Sequence, residues 1–180
     1  MLDQRRPKAS GKSQKRDSFG PVQTPATVFL EAHGIGYRAH PYEHDRAADS
    51  FGLEAAEKLG LEPDLVFKTL MARLDDDRGP LVVAIVPVTH QLDLKALARA
   101  AGAKRAKMAA VVDAERSSGY VAGGISPFGQ KRPLPTFIDE TAEICETIYV
   151  SGGQRGLDIG LSPADLITAL EAVVAPLASG

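Results

Sequence analysis

Cysteine is nearly absent from this sequence, since Cys145 stands alone among 180 residues. A single cysteine can form neither an internal disulfide nor a zinc site built on thiolates, and such scarcity is usual in a reducing compartment. Apolar runs are also short, and none approaches the roughly 20 residues that a membrane-spanning helix needs. The charged N-terminus lacks an apolar segment of the secretory kind, so we expect a cytoplasmic protein without a membrane anchor. We expect Cys145 to be a buried structural thiol rather than a nucleophile.

The common motifs of activated nucleophiles and bound cofactors are missing as well. The sequence contains no Gly-x-Ser-x-Gly elbow, no phosphate-loop lysine pattern and no dinucleotide fingerprint at a strand–helix turn. Its four histidines have neither HExxH spacing nor a cysteine partner that would indicate a metal site. We therefore expect no metal and no cofactor. An ester-cleaving activity would then need its nucleophile from water or from the substrate.

Charge divides the chain into two parts. Residues 1–20 carry six cations and two carboxylates, whereas residues 21–180 have a net charge of −6. The first part has no hydrophobic period and is predicted to be a disordered tail, which either attracts phosphate or has no role. The second part is long enough for one domain with a sizeable core. Such a domain binds nucleic acid only through a local basic patch. The candidates for this patch, which could equally be ordinary solvated surface, are Lys104, Arg105, Lys107, Lys131, Arg132 and Arg155.

Helix signals and apolar runs alternate, but without a strict strand–helix–strand order. Thr24 and Pro25 predict the start of a first helix that ends at Gly34. Strands are predicted near residues 37–44, 65–71, 81–87, 136–139 and 147–150. Further helices are predicted near residues 51–59, 93–101 and 110–117, and from the Ser162 cap through Val173. The pattern predicts a single domain of the α+β or mixed-sheet class.

Lys68 is the least expected residue of the apolar run Leu65–Met71. In a strand its side chain would share a face with Val66 and Leu70. An ammonium among such neighbours loses hydration, so it needs a partner or a lowered pKa, and functional lysines commonly have this setting. The alternative is a lysine whose stem packs while its charged end reaches water.

Two glycine-rich segments could approach a ligand closely. In residues 123–127, Gly-Gly-Ile-Ser-Pro, backbone N–H groups could donate to carbonyl or phosphate oxygens, although a plain connecting loop would look the same. In the second loop, residues 151–158, Arg155 could hold an anion and Asp158 could pair with Lys68. An Arg155–Asp158 surface pair inside a turn is the alternative.

Taken together, these segments resemble the YbaK/EbsC family of Cys-tRNA(Pro) deacylases, relatives of the editing domain inserted in bacterial prolyl-tRNA synthetases. The resemblance covers about residues 24–178, in the family's order and with its spacing. The matching stretches are Tyr42–Asp45, Val66–Leu70, Gln91–Lys95, Arg116–Tyr120, Gly123–Pro127 and Ile148–Leu157.

The resemblance implies an α+β fold, a single domain with a central mixed, largely antiparallel β-sheet flanked by helices. It implies a trans-editing hydrolase that deacylates mischarged Cys-tRNA(Pro), with the substrate's own thiol attacking the ester and prolyl-tRNA synthetase as a partner. The alternatives are a deacylase for Ala-tRNA(Pro) or another misacylated tRNA, a general hydrolase of small esters, and a non-catalytic nucleotide- or RNA-binding module on the same fold.

The resemblance also implies the site. Lys68 matches the family's essential lysine, and Asp158 is expected to orient Lys68 or the substrate amine. Gly123 and Pro127 match a loop that lies against the aminoacyl end. The expected substrate-binding residues are Tyr42, Gly123, Gly124, Ile125, Ser126, Pro127, Ser151, Gly152 and Arg155.

Overall fold

The computed structural model describes residues 22–180, so the tail predicted for residues 1–20 lies outside the described part. The helices of that part are α1 (Pro25–Ala32), α2 (Phe51–Leu59), α3 (Leu94–Ala100), α4 (Val111–Ser118) and α5 (Pro163–Leu170). Its strands are β1 (Arg38–Pro41), β2 (Phe67–Leu74), β3 (Leu81–Pro87), β4 (Gln91–Leu92), β5 (Ala106–Met108), β6 (Thr136–Asp139), β7 (Ile148–Gln154), β8 (Leu157–Leu161), β9 (Val173–Ala175) and β10 (Ala178–Ser179). Short 3-10 turns span Pro63–Leu65 and Glu140–Ile144.

A five-stranded mixed sheet with the order β5-β2-β3-β6-β9 forms the centre of the domain. β5, β2 and β3 are antiparallel neighbours, whereas β6 and β9 join in parallel. β3 is buried along nearly its whole length, because each face of the sheet is covered. Leu97 of α3 packs in the cluster on one face, and Ala114 of α4 packs with Met71 in the cluster on the other. This mixed sheet flanked by helices confirms the predicted fold class.

A second, antiparallel sheet with the order β1-β8-β7 packs beside the first. Its buried residues Val150 and Ile159 belong to the same core cluster as Phe67 and Met71 of β2. An isolated parallel bridge between Val66 and Tyr149 links the two sheets where β2 begins. This junction creates the space in which the candidate site lies.

Local capping residues explain why the sequence predicts α1 and α2 closely. Thr24 forms a capping box with Thr27 at the start of α1, where Pro25 occupies the first helical position. α2 begins after the Ser50 cap and ends at Gly60, which has a positive φ of 65°. These contacts satisfy backbone groups at the helix ends without help from distant residues.

Three sequence predictions differ from the structure. The strand predicted to extend to His44 ends at Pro41. The second glycine-rich segment is a β-hairpin, not a loop, because residues 151–154 continue β7 and Leu157 begins β8. The last helix ends at Leu170, where Glu171 turns with a φ of 50°, and Val173 instead begins β9 beside β6. None of the helices within residues 22–180 is long and apolar enough to cross a membrane.

Candidate active site

A cavity of about 400 Å³ lies along the free edge of β2, and we call it the β2 cavity. β2 pairs with β3 from Phe67 to Arg73, but with β5 only from Ala72 to Leu74. On its other edge, β2 therefore has no strand of residues 22–180 beside it between the junction with β7 and the start of β5. The β2 cavity is lined by Tyr42, Asp49, Ser50, Phe51, Gly52, Val66, Phe67, Lys68, Thr69, Leu70, Met71, Met108, Ala109, Val111, Ala114, Ala122, Gly123, Ile125, Ser151 and Asp158.

Lys68 is half-buried in this lining, between the apolar residues Val66 and Leu70. Burial lowers the pKa of its ammonium group below the usual value. Among residues 22–180, no carboxylate forms an ion pair with it, so the pairing of Lys68 with Asp158 considered from the sequence is not formed. The two groups share one cavity without neutralising each other.

Asp158 lies on β8, directly opposite Ser151 on β7. Only 6% of the residue is exposed, and this burial raises the pKa of its carboxyl group to about 6. Tyr42 lines the same cavity, and burial and then the negative charges of Asp158 and Glu54 raise the pKa of the Tyr42 hydroxyl to about 12. Ser151 and Asp158 of the second sheet, with Tyr42 directly after β1, thus provide polar groups on this side of the cavity.

The backbone of β2 provides further polar groups. The Ala109 N–H donates to the Met71 carbonyl across the free edge, so alternate residues of β2 direct their peptide groups to this side. Thr69 is the alternate residue before Met71, and no strand in the described part of the chain pairs with it on this side. Its hydroxyl oxygen is buried and has no hydrogen-bond partner within residues 22–180. Because buried hydroxyls are normally paired, Thr69 is a group that a ligand could satisfy.

A hydrogen-bonded pair that the sequence did not reveal holds the start of α2 over the cavity. Glu54 is buried, and its carboxylate accepts from the Asp45 N–H and from His44 Nδ1, the latter at 2.8 Å. Burial opposes ionisation of Glu54, but these hydrogen bonds and the His44 charge lower its pKa overall. The pair fixes the segment between β1 and α2, which carries Asp49 and Ser50 to the cavity, together with Phe51 at the start of α2.

Two of the residues predicted from the sequence, Gly123 and Arg155, lie against Phe51. A Cβ atom at Gly123, where φ is 84°, would lie 2.6 Å from the Phe51 ring, so only glycine fits there. The Arg155 guanidinium lies 5.1 Å from the centre of the same ring, and its Nε donates to the Ala122 carbonyl at 2.9 Å. Arg155 therefore covers Phe51 from outside, instead of lining the cavity.

The other predicted binding residues divide into two groups. Ile125 lines the β2 cavity with Gly123, whereas Gly124, Ser126, Pro127 and Gly152 do not belong to the lining. Ser126 is fully buried and accepts from the Phe128 N–H, and the Gly152 carbonyl accepts from the Thr24 hydroxyl. Their observed contacts support the loop and the hairpin that carry the lining residues.

Cys145 lies outside the cavity lining. It is half-buried rather than fully buried, and its thiol donates to the Thr141 carbonyl at 3.4 Å. Burial, followed by the charge of Asp64, raises the pKa of the thiol, which disfavours the reactive thiolate. Neither a cysteine nor a histidine lines the β2 cavity.

Comparisons with known proteins show similarity over most of the chain. Residues 46–169 match the family model of the aminoacyl-tRNA editing domain. The Enterococcus faecalis protein named "Putative Cys-tRNA(Pro)/Cys-tRNA(Cys) deacylase EbsC" is 39% identical over 147 residues, which are 81% of this chain and 87% of that protein.

Two solved structures are similar over most of the chain. One, described as "a putative trans-editing enzyme for prolyl tRNA synthetase", is 25% identical with a TM-score of 0.77, covering 91% of this chain and 100% of its own. The hypothetical protein APE2540 is 22% identical with a TM-score of 0.77, covering 87% and 100%, and shows the shared fold. With the family match and the curated relative, these findings establish that the chain belongs to the aminoacyl-tRNA editing domain family.

Proposed function

We propose that this protein is a trans-acting deacylase that removes cysteine from mischarged Cys-tRNA(Pro). The observation that carries the proposal is the β2 cavity, which combines Lys68 and Asp158 with hydroxyl groups but has no cysteine and no histidine to activate Ser50 or Ser151. A cavity of this kind can position an ester and stabilise charge, but supplies no evident protein nucleophile. The relative that is 39% identical bears the name of a deacylase of this substrate class.

In this proposal the cysteine substrate provides the attacking group. Its sulfur bonds to its own ester carbonyl carbon, the bond from that carbon to the ribose oxygen breaks, and the thiol proton passes to that oxygen. The products are cysteine thiolactone, which water then opens, and tRNA with a free 3′-terminal ribose. The protein contributes by holding thiol and carbonyl in a reactive arrangement.

Lys68 and the free edge of β2 would receive the ester. As a cation, Lys68 orients the carbonyl region or the terminal ribose, while Thr69 and the neighbouring peptide groups hydrogen-bond to the aminoacyl group. The buried, unpaired Thr69 hydroxyl supports this arrangement. A neutral Lys68 acting as the base is the alternative, favoured by its lowered pKa. Lys68→Arg distinguishes them, because retained activity would contradict proton transfer by Lys68.

Asp158 would bind the ammonium group of the substrate. Its carboxyl group is buried beside Ser151 and Tyr42 and has no cationic partner among residues 22–180, so a bound ammonium would offset the cost of its burial. Ser151 and Tyr42 would complete the polar contacts on that side. Gly123 keeps Phe51 in place at the start of α2.

Selection for cysteine follows from the same chemistry. Alanine has no group to attack its ester, and a serine hydroxyl is a much weaker nucleophile than a thiol at neutral pH. The preference therefore does not need a pocket that excludes these side chains by size. We place the reaction in the cytoplasm, with prolyl-tRNA synthetase providing much of the tRNA selection.

The test is deacylation of tRNA(Pro) carrying cysteine, S-methylcysteine, serine or alanine. We expect rapid loss of cysteine only, and hydroxylamine present during the reaction should capture the thiolactone. Equal cleavage of S-methylcysteine would refute self-attack by the thiol. Cleavage of alanine instead would assign the protein to the Ala-tRNA(Pro) class, and cleavage of none would leave only a binding function.

A further inference from the structure

The basic run that the sequence offers for nucleic-acid binding is already engaged. The turn between β2 and β3 carries Asp75 and Asp77, and Lys107 pairs with Asp77. The Arg105 Nε donates to the Asp75 carbonyl, and the Asp75 carboxylate accepts from the Lys104 N–H. These contacts bring acidic groups against the basic run, so its charge is partly neutralised.

A second depression, of about 470 Å³, has a different composition. We call it the arginine depression, because Arg73, Arg116 and Arg132 line it while Asp113 is the one carboxylate that residues 22–180 contribute to its lining. Arg73 is held firmly, donating to the Gly79 carbonyl at 2.7 Å and to Asp113 at 3.0 Å.

Arg116 and Arg132 are exposed, and within residues 22–180 neither has an acidic partner. The Arg132 N–H donates to the Ser117 carbonyl of α4, which fixes the backbone beside the depression. Two guanidinium groups without counter-charges therefore lie next to a third that is fixed by Asp113. A planar guanidinium is suited to bind a phosphate with two hydrogen bonds.

The arginine depression and the β2 cavity lie on opposite sides of α4. Val111 and Ala114 line the cavity, whereas Asp113 and Arg116 line the depression. A helix with its side chains is about 10 Å across, and Arg73 is about 17 Å along β2 from Lys68. A linear polymer whose reactive end enters the β2 cavity could therefore cross α4 and place an upstream segment in the arginine depression.

We propose that Arg73, Arg116 and Arg132 bind backbone phosphates of the tRNA acceptor end, upstream of the nucleotide that carries the amino acid. This inference rests on the proposed function, because it places the aminoacyl end in the β2 cavity. A domain whose residues 21–180 carry a net charge of −6 needs such a local site to hold a polyanion.

The test compares Arg116→Gln/Arg132→Gln with Lys95→Gln/Arg99→Gln in the full chain. The control removes the same charge from exposed positions on α3, which packs on the other face of the central sheet. Affinity for uncharged tRNA(Pro) is measured from 50 to 400 mM salt. Two lost phosphate contacts should weaken binding about 25-fold near 0.1 M salt and reduce the log–log salt slope by about 1.4. The control should bind like wild type.

A second arm measures cleavage of cysteinyl adenosine, a substrate without upstream phosphates. The arginine variant should cleave it at the wild-type rate while its KM for Cys-tRNA(Pro) rises. Unchanged tRNA binding, equal loss in the control, or equal loss on cysteinyl adenosine would overturn the proposal. If wild type cleaves neither ester, the proposed function fails, and the binding arm still decides whether the arginines bind tRNA.

Discussion

Replacing Asp158 with asparagine is expected to stabilise the folded protein at neutral pH while impairing its activity. The carboxyl group is buried, has no cationic partner within residues 22–180, and has its pKa raised from 3.8 to about 6 by burial. Asparagine has nearly the same shape but no charge to bury. The substitution therefore removes the cost of burying an uncompensated charge.

The direction of the pH dependence follows from proton binding. Between pH 3.8 and about 6 the folded protein keeps a proton on Asp158 that the unfolded chain releases. Stability contributed by this residue therefore falls as pH rises through that window and remains lower above it. The full pKa difference corresponds to about 3 kcal/mol. Asp158→Asn should exceed wild type by about 3 kcal/mol near pH 7.5, but by only about 1 kcal/mol near pH 4.5.

The assay is urea unfolding of both proteins at the two pH values, with Glu146→Gln as the control. Glu146 is exposed, so its substitution should leave stability within about 0.5 kcal/mol at either pH. In parallel, kcat/KM for Cys-tRNA(Pro) should fall roughly 10- to 100-fold in Asp158→Asn through loss of the charged contact to the substrate amine. A variant equally or less stable than wild type at pH 7.5 would refute the reasoning about charge burial. Unchanged activity would refute the role in substrate binding.

Three further predictions concern packing and hydrogen bonds that stabilise the fold. Gly123→Ala should destabilise the fold by about 1–3 kcal/mol in urea unfolding, because the added Cβ would meet the Phe51 ring and φ at this position is positive. Adding Phe51→Ala should recover part of this loss. Full stability of the single variant would contradict the close packing of Gly123 against Phe51. Thr24→Ala should cost about 1–2 kcal/mol in thermal unfolding, because it removes the α1 cap and the hydrogen bond to the Gly152 carbonyl, with Thr168→Ala at an exposed position as control. Asp139→Asn should lower the free energy of unfolding by about 1–3 kcal/mol near neutral pH, because the Asp139 carboxylate accepts backbone N–H groups near the C-terminus. Protonation of Asp139 at low pH weakens the same hydrogen bonds in wild type, so the difference between the two proteins should shrink there. A difference that stays constant with pH would contradict this role of the carboxylate.

Elements with strong local signals could be predicted from the sequence. The bounds predicted for α2 are those observed, because Gly60 supplies the left-handed turn that ends the helix. The strand around Lys68 was predicted from a short run rich in branched and aromatic side chains. In both cases neighbouring residues carry the information, so an isolated segment suffices.

The hairpin of β7 and β8 could not be predicted in this way. Its glycines favour a loop locally, yet Gly152 and Gly160 each accommodate a close contact with the neighbouring strand. A Cβ at Gly152 would meet the Leu157 side chain, and a Cβ at Gly160 would lie 2.8 Å from the Tyr149 ring. β9 was missed for a related reason, since Val173 joins β6 in a parallel pairing between residues distant in sequence.

The candidate site also combines features that the sequence predicts with features that it does not. Lys68, Tyr42 and Asp158 were predicted and all line the β2 cavity, although their catalytic and binding roles remain predictions. The hydrogen bond between His44 and Glu54 was not predicted, since it depends on how β1 and α2 come together. Similarly, the free edge of β2 at Thr69 depends on where β5 stops pairing with β2. Such features depend on tertiary packing and carry no local pattern.

The most direct test of the account is deacylation of Cys-tRNA(Pro) and Ala-tRNA(Pro), side by side, by wild type, by Lys68→Ala and by Lys95→Ala as an exposed control. Unfolding of each variant is measured alongside, so that loss of the fold is separated from loss of chemistry. We expect rapid release of cysteine but not alanine by wild type and the control, and none above background by a folded Lys68→Ala. Full activity of folded Lys68→Ala, or no cysteine release by wild type, would contradict it.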